Sequence, residues 1–202
     1  MNLFTGQDAD EFFGGCEPGF ARELLHQAAS APRAEAGALL WAAQALAPQT
    51  LGIYYALYKH HAGRREFEQA GRAARRGLAE AALQVGLPAD WRLVVPGTLP
   101  AGIDFQGSGA ARFWLFTLKA LAFIALRSER ADESRALLAR IAALAPDAHI
   151  GDDVIATLLA SVSAGASTHL PGNGNGNGSG DGSGSDSGGV NGYRDSGGSG
   201  RP

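Results

Sequence analysis

The chain has 202 residues, a formal net charge of −3 and a single cysteine. So small a charge excess implies no strong polyelectrolyte partner for the chain as a whole. One thiol excludes an intramolecular disulfide, which suits a reducing compartment. From about Gly165 onward Gly, Asn, Ser and Asp dominate, and almost nothing apolar is present to offset an ordering cost of roughly 1–2 kcal/mol per residue. The expectation is one folded domain over 1–164 and a disordered tail over 165–202.

The longest apolar run, Phe113 to Leu126, is too short to cross a bilayer and contains Lys119. The acidic N-terminal residues lack the basic start and apolar stretch of a secretion signal. A cytoplasmic protein with no membrane partner is expected.

In chain order, the stretch up to Gly19 sets Phe4, Phe12 and Phe13 among acids and glycines, and is expected to form a short helix or cap. A helix over 20–30 places Phe20, Leu24 and Gln27 on one face and breaks at Ser30-Ala31-Pro32. A second over 33–47 carries a stripe of Ala36, Leu40, Ala43 and Ala47 and ends at Pro48. A third covers 51–61, with a turn at Ala62-Gly63-Arg64. A fourth covers 66–86, stopped by Gly86 and Pro88. An irregular insertion over about 86–112 follows, rich in proline and glycine, with a short strand expected at Leu93–Val95. The fifth helix covers 111–127, a turn runs from Ser128 to Asp132, and the sixth covers 133–145, closed by Pro146. Asp152 or Asp153 can cap a last helix over 153–163. Successive helices joined by short turns predict an all-α fold with antiparallel neighbours.

A repeat is visible in the spacing. Phe20 and Tyr54 are 34 residues apart, as are Ala36 and Ala70. Three units can be laid out. The first, about 17–50, has Phe20, Ala36, Leu40, Ala43 and Pro48. The second, about 51–84, has Tyr54, Leu57, Phe67, Ala70, Gly77 and Leu78. The third, about 115–148, has Leu121, Ala122, Leu138 and Pro146, with Ser134 and Ile141 at positions where smaller residues are usual. Small residues at helix crossings allow close approach, and large ones fill the grooves between neighbours. On these residues the chain resembles a degenerate tetratricopeptide-repeat protein over 17–163. The resemblance implies helical hairpins stacked into about three units, closed by a capping helix. The segments IYYALYKHHAGRREFEQA and ARFWLFTLKALAFIALR further resemble small bacterial repeat proteins found beside nitrogen-fixation genes. That resemblance implies an accessory role in nitrogenase maturation or protection.

Little in the sequence points to chemistry. Adjacent His60 and His61 point about 100° apart on a helix and are expected to be exposed near its end, not to chelate together. Cys16, His26, His149 and His169 show no ligand spacing, and Gly107-Ser108-Gly109 is no complete phosphate loop. No carboxylate pair or catalytic triad stands out. The expectation is a protein that is not an enzyme and holds neither metal nor cofactor. Arg64, Arg65, Arg72, Arg75 and Arg76 form a local excess of positive charge, expected as a solvated basic patch, with no motif that favours nucleic acid.

In the tetratricopeptide class, the first helix of each unit lines a concave surface. Carried onto this chain, that surface would present Tyr55 and Lys59 from the second unit and Lys119, Phe123 and Arg127 from the third. Aromatic bodies with cationic tips suit an extended or acidic segment of another protein. The inserted loop, with Trp91 and Phe105, is expected to shape or cover this groove. The function expected is that of an adaptor or assembly chaperone, with a self-associating homodimeric module as the alternative.

Overall fold

The computed structural model describes residues 13, 18–107, 109–147 and 152–167. Among these, the protein consists of seven α-helices: α1 (Gly19–Ser30), α2 (Arg33–Leu46), α3 (Leu51–Gly63), α4 (Phe67–Val85), α5 (Ala110–Arg127), α6 (Ala131–Leu144) and α7 (Asp152–Ser167). No β-strand occurs among the described residues. Helix α7 runs to Ser167, past the expected domain end at 164; residues 168–202 with His169, as well as Cys16 and His149, lie outside the described residues, as does the chain before Pro18 apart from Phe13.

The helix ends follow from backbone chemistry. The residues before Pro32, Pro48 and Pro146 cannot comfortably continue a helix, and α1, α2 and α6 stop there. The carbonyl of Pro32 then accepts from the amides of Glu35 and Ala36, so one proline both ends α1 and starts α2. Gly86 closes α4 in the left-handed conformation, with φ at 70°, and Leu87 N–H donates to Ala82 O at 2.8 Å.

Two turns share a geometry that no sequence signal announces. Arg65 and Glu129, neither of them glycine, adopt left-handed φ values of 62° and 60°. In each turn the next amide reaches back to the last turn of the preceding helix: Glu66 N–H to His61 O and Arg130 N–H to Ala125 O, both at 2.9 Å. The α3–α4 and α5–α6 hairpins are therefore built alike.

The expected strand at Leu93–Val95 is not formed. Trp91–Leu93 and Pro96–Thr98 are single 3-10 turns. The Asp90 carboxylate accepts from Arg92 N–H at 3.0 Å and fixes the first turn, while Pro96 has no N–H to give to a sheet ladder. Trp91, Val94 and Phe105 turn inward to the core, and Arg140 donates to the Arg92 carbonyl at 3.0 Å, tying the loop to α6.

Each helix packs on its neighbours in sequence, and α5 also meets α7. Helices α3 and α5 both lean on α4 and touch each other directly only over a short stretch. The equivalent small positions of the three units are all buried: Ala36, Ala70 and Ser134, then Ala43, Gly77 and Ile141. Phe20, the aromatic proposed for the first unit, is instead 51 % exposed, and Ala21 is the buried residue. The reason is positional: α1 packs chiefly on α2, so its outward side faces no further helix.

The tightest crossing lies at Gly77. A Cβ there would stand 2.7 Å from Tyr54 Cβ and 3.2 Å from a ring carbon of Phe113. At Gly71, earlier on the same helix, a Cβ would chiefly meet the far end of the Arg75 side chain. Gly77→Ala should therefore cost about 1–2 kcal/mol, because overpacking outweighs the roughly 1 kcal/mol gain in helix propensity. Gly71→Ala should be neutral or stabilising. Urea denaturation of the two variants checks the contrast.

Candidate functional site

Of the side chains named for the groove, Tyr55 and Lys59 lie on α3, and Lys119, Phe123 and Arg127 lie on α5. On α5, Arg112, Phe116, Lys119, Phe123 and Arg127 recur at intervals of three and four, so they form one stripe. All are half-buried except Arg127, which is exposed. Lys119 Nζ lies 5.0 Å from the centre of the Phe116 ring, and the Arg112 guanidinium lies 5.9 Å from it. Arg127 lies 5.4 Å over Phe67 at the start of α4. On α3, Lys59 Nζ donates to Tyr55 Oη at 3.3 Å and sits 4.9 Å from the ring centre. Tyr58 packs edge-on to Tyr55 at 5.4 Å.

Burial sets the electrostatics. It lowers the Lys59 pKa and raises that of Tyr55, since both charged forms lose solvation. Tyr58, sealed in the core, is pushed well above the ordinary phenol value, first by burial and then by Tyr55. The cations thus rest on aromatic faces in a partly dry setting, where such contacts are stronger than in open water.

Three residues here, Phe13, Arg112 and Phe116, were not assigned to the groove from the sequence. Phe13, only 1 % exposed, sits between the two helices. Its ring lies 5.2 Å from Tyr55, 5.0 Å from Phe113 and 5.9 Å from Phe116, tilted or edge-on to each. The available signal was an aromatic pair, Phe12-Phe13, inside an acidic run. Arg112 and Phe116 could also have been read by extending the α5 stripe toward its N-terminus.

The inserted loop does not cover the groove. Phe105 stacks against Trp114 at 5.9 Å. On α5, Trp114 points roughly 200° away from Phe116, so the body of the loop packs behind the helix. Only its end approaches the stripe, where Arg112 donates to Gly107 O at 3.2 Å. A cavity beside the loop is lined by Val85, Ile103, Ala110 and Ala111 among others; its one carboxylate, Asp104, already accepts from Gln106 N–H at 2.8 Å.

The five arginines do not form a shared patch. Arg64 pairs with Glu66 at 2.6 Å and also donates to the Arg33 carbonyl. Arg65 occupies the left-handed turn. Arg72 faces Glu68 at 3.7 Å, Arg75 reaches across to Glu133 on α6 at 3.1 Å, and Arg76 stacks over Trp41 on α2 at 5.5 Å. Their charge is spent on neighbours in three directions. Exposed pairs of this kind contribute about 0–1 kcal/mol each.

The histidines also depart from expectation. His61 is buried and His60 half-buried. Trp41 Nε1–H donates to His61 Nε2 at 3.3 Å, which leaves Nδ1–H to donate to Glu66 at 2.7 Å. This chain of bonds joins α2, α3 and the start of α4, so a structural role explains both nitrogens. Among the described residues no three His, Cys, Asp or Glu side chains converge as metal ligands, and no helix is long and apolar enough to cross a membrane.

The same cluster predicts a pH response. The His60 pKa is lowered, first by burial and then by His61 and Arg64. The Glu66 pKa is lowered, first by the His61 hydrogen bond and then by Arg64. On acidification the unfolded chain therefore takes up each proton first, and stability falls with pH. The His60 part is full above the ordinary value of 6.5 and is lost as pH falls through the lowered pKa; the Glu66 part goes below 4.5. His60→Gln should flatten the fall in melting temperature between about pH 7 and pH 5. Glu66→Gln should remove part of the fall at lower pH.

A curated relative comes from Azotobacter chroococcum mcd 1, where it is described as an uncharacterized 19.8 kDa protein in the nifW 5' region. It is 31 % identical to this chain over 122 residues, covering 60 % of this chain and 68 % of the relative. No family model and no solved structure matches. With that identity over more than two thirds of the relative, the chain belongs to the same family as the Azotobacter protein.

Proposed function

We propose that this protein is a non-catalytic, cytoplasmic adaptor or assembly chaperone of the degenerate tetratricopeptide type, accessory to nitrogen fixation. It binds an acidic or extended segment of a partner protein between α3 and α5. The observation that carries this reading is the stripe of alternating cations and aromatics on α5, joined to Tyr55 and Lys59 on α3 through the Phe13 ring, which touches both Phe116 and Tyr55. Such a surface gives an extended acidic segment both ion pairing and apolar anchorage, and a few such anchors dominate binding energy. The repeat assignment draws support from the buried small residues at equivalent positions and from the matched turns at Arg65 and Glu129. The link to nitrogen fixation rests on the nifW-region location of the Azotobacter relative.

The deciding experiment compares the intact chain with Lys119→Glu/Arg127→Glu as bait in lysate of the native host, with mass spectrometry of the retained proteins. The double variant should keep its helical circular dichroism and lose capture of a specific protein by at least tenfold. The same proteins retained equally by both baits would remove the groove from the function.

A second reading is self-association through the ends of the array. Phe20 on α1 is half exposed, and Val154 and Leu158 on α7 are 60 % and 44 % exposed. Sedimentation velocity tests this reading: a dimer that Leu158→Glu dissociates would support it, and a concentration-independent monomer would exclude it.

A further inference from the structure

We propose that the seat of Phe13 is the central pocket of the docking groove, and that the chain's own N-terminal segment is its resident occupant. An acidic, phenylalanine-bearing segment of a partner then binds by displacing it. This inference rests on the groove reading above and specifies both the anchor residue and the competition.

The first argument is the position of the ring. Phe13 precedes the seven helices in the chain and is almost fully buried, at 1 % exposure. Its neighbours Tyr55, Phe113 and Phe116 come from α3 and α5, two helices held side by side mainly through α4. The array is closed behind the ring by the Gly77 crossing, where Tyr54 and Phe113 already meet α4. Withdrawal of Phe13 would thus open a slot between two helices and leave their packing on α4 in place.

The second argument is charge. The segment before Arg22 contains Asp8, Asp10, Glu11 and Glu17 and no lysine or arginine. The slot is flanked by Lys59 on α3 and by Arg112 and Lys119 on α5, each lying against an aromatic ring of the slot. Acidic flanks around a phenylalanine therefore match a cationic rim around an aromatic floor, and a partner segment using this pocket must repeat that chemistry. A tethered occupant competes at high effective concentration, so it suppresses weak ligands and yields only to segments that bind the rim and floor better.

A labelled synthetic peptide of residues 7–17, with Ser in place of Cys16, provides the probe. It should bind the full-length Phe13→Ala chain at least tenfold more tightly than the intact chain. Replacing the second phenylalanine of the peptide by alanine, or adding Lys59→Glu/Lys119→Glu to the opened chain, should each weaken binding by at least tenfold. Because Phe13→Ala also removes a buried ring, a second measurement uses 4-fluorophenylalanine at position 13 of the otherwise intact chain. Saturating peptide should move its fluorine resonance from a buried to a solvent-exposed position. Equal peptide affinity for intact and opened chains, no binding to either, or an unmoved fluorine signal at saturation would overturn the proposal. A partner that depends on Lys119 and Arg127 but binds intact and Phe13→Ala chains equally would overturn the resident-occupant inference while leaving the groove reading in place.

Discussion

The architecture depends on one close approach, the crossing of α4 over Tyr54 and Phe113 at Gly77. With no Cβ on α4 at this point, its backbone can lie against a side chain from α3 and another from α5 at once. At that point both helices therefore lie against the same part of α4. A larger residue there would push one of them off α4. Tyr54 contributes a second constraint. Its hydroxyl donates to the Pro48 carbonyl at 2.6 Å, so the residue that fits under Gly77 also fixes the preceding interhelical turn. Gln44 donates to the same hydroxyl at 3.2 Å and ties in α2.

The half-buried cations and aromatics of α3 and α5 balance burial against charge. A wholly apolar floor between α3 and α5 would have merged into the core. A wholly charged one would have remained hydrated and held nothing. Long cationic side chains laid over aromatic rings satisfy both demands, because their stems cover apolar surface while their heads stay near water. The lowered pKa of Lys59 and the raised pKa of Tyr55 are the electrostatic trace of that partial desolvation. Phe13 completes the floor with edge-on contacts, the arrangement that aromatic quadrupoles favour.

Much of this was legible in the sequence because proline, glycine and periodicity are local signals. Pro32, Pro48, Gly86 and Pro146 mark helix ends to within a residue or two, and the 34-residue spacing of Ala36 and Ala70 finds two equivalent buried sites. That Tyr55 and Lys59 share one side of α3, and Lys119, Phe123 and Arg127 one side of α5, follows from helical phase, whereas their reading as a groove rests on the tetratricopeptide resemblance. What escaped depends on distant partners. Burial of His61 requires Trp41, twenty residues earlier, to supply a donor. Dispersal of the arginines requires Glu133 and Trp41 on two other helices. The left-handed turns at Arg65 and Glu129 carry no glycine and are fixed by the hairpin closing around them. The position of the loop turns on which face of α5 Phe105 finds, and a sequence gives no rule for that.

The contrast between arginine patch and groove shows why charge counting misleads. Both segments are rich in cations, but their environments differ. Arg64, Arg72 and Arg75 have carboxylates in reach from this same chain, so a ligand would have to break an existing pair before gaining a new one. Lys59 and Arg127 instead lie against Tyr55 and Phe67. A cation on an aromatic face keeps most of its capacity to attract an anion, and the ring beside it supplies apolar contact to whatever the anion is attached to.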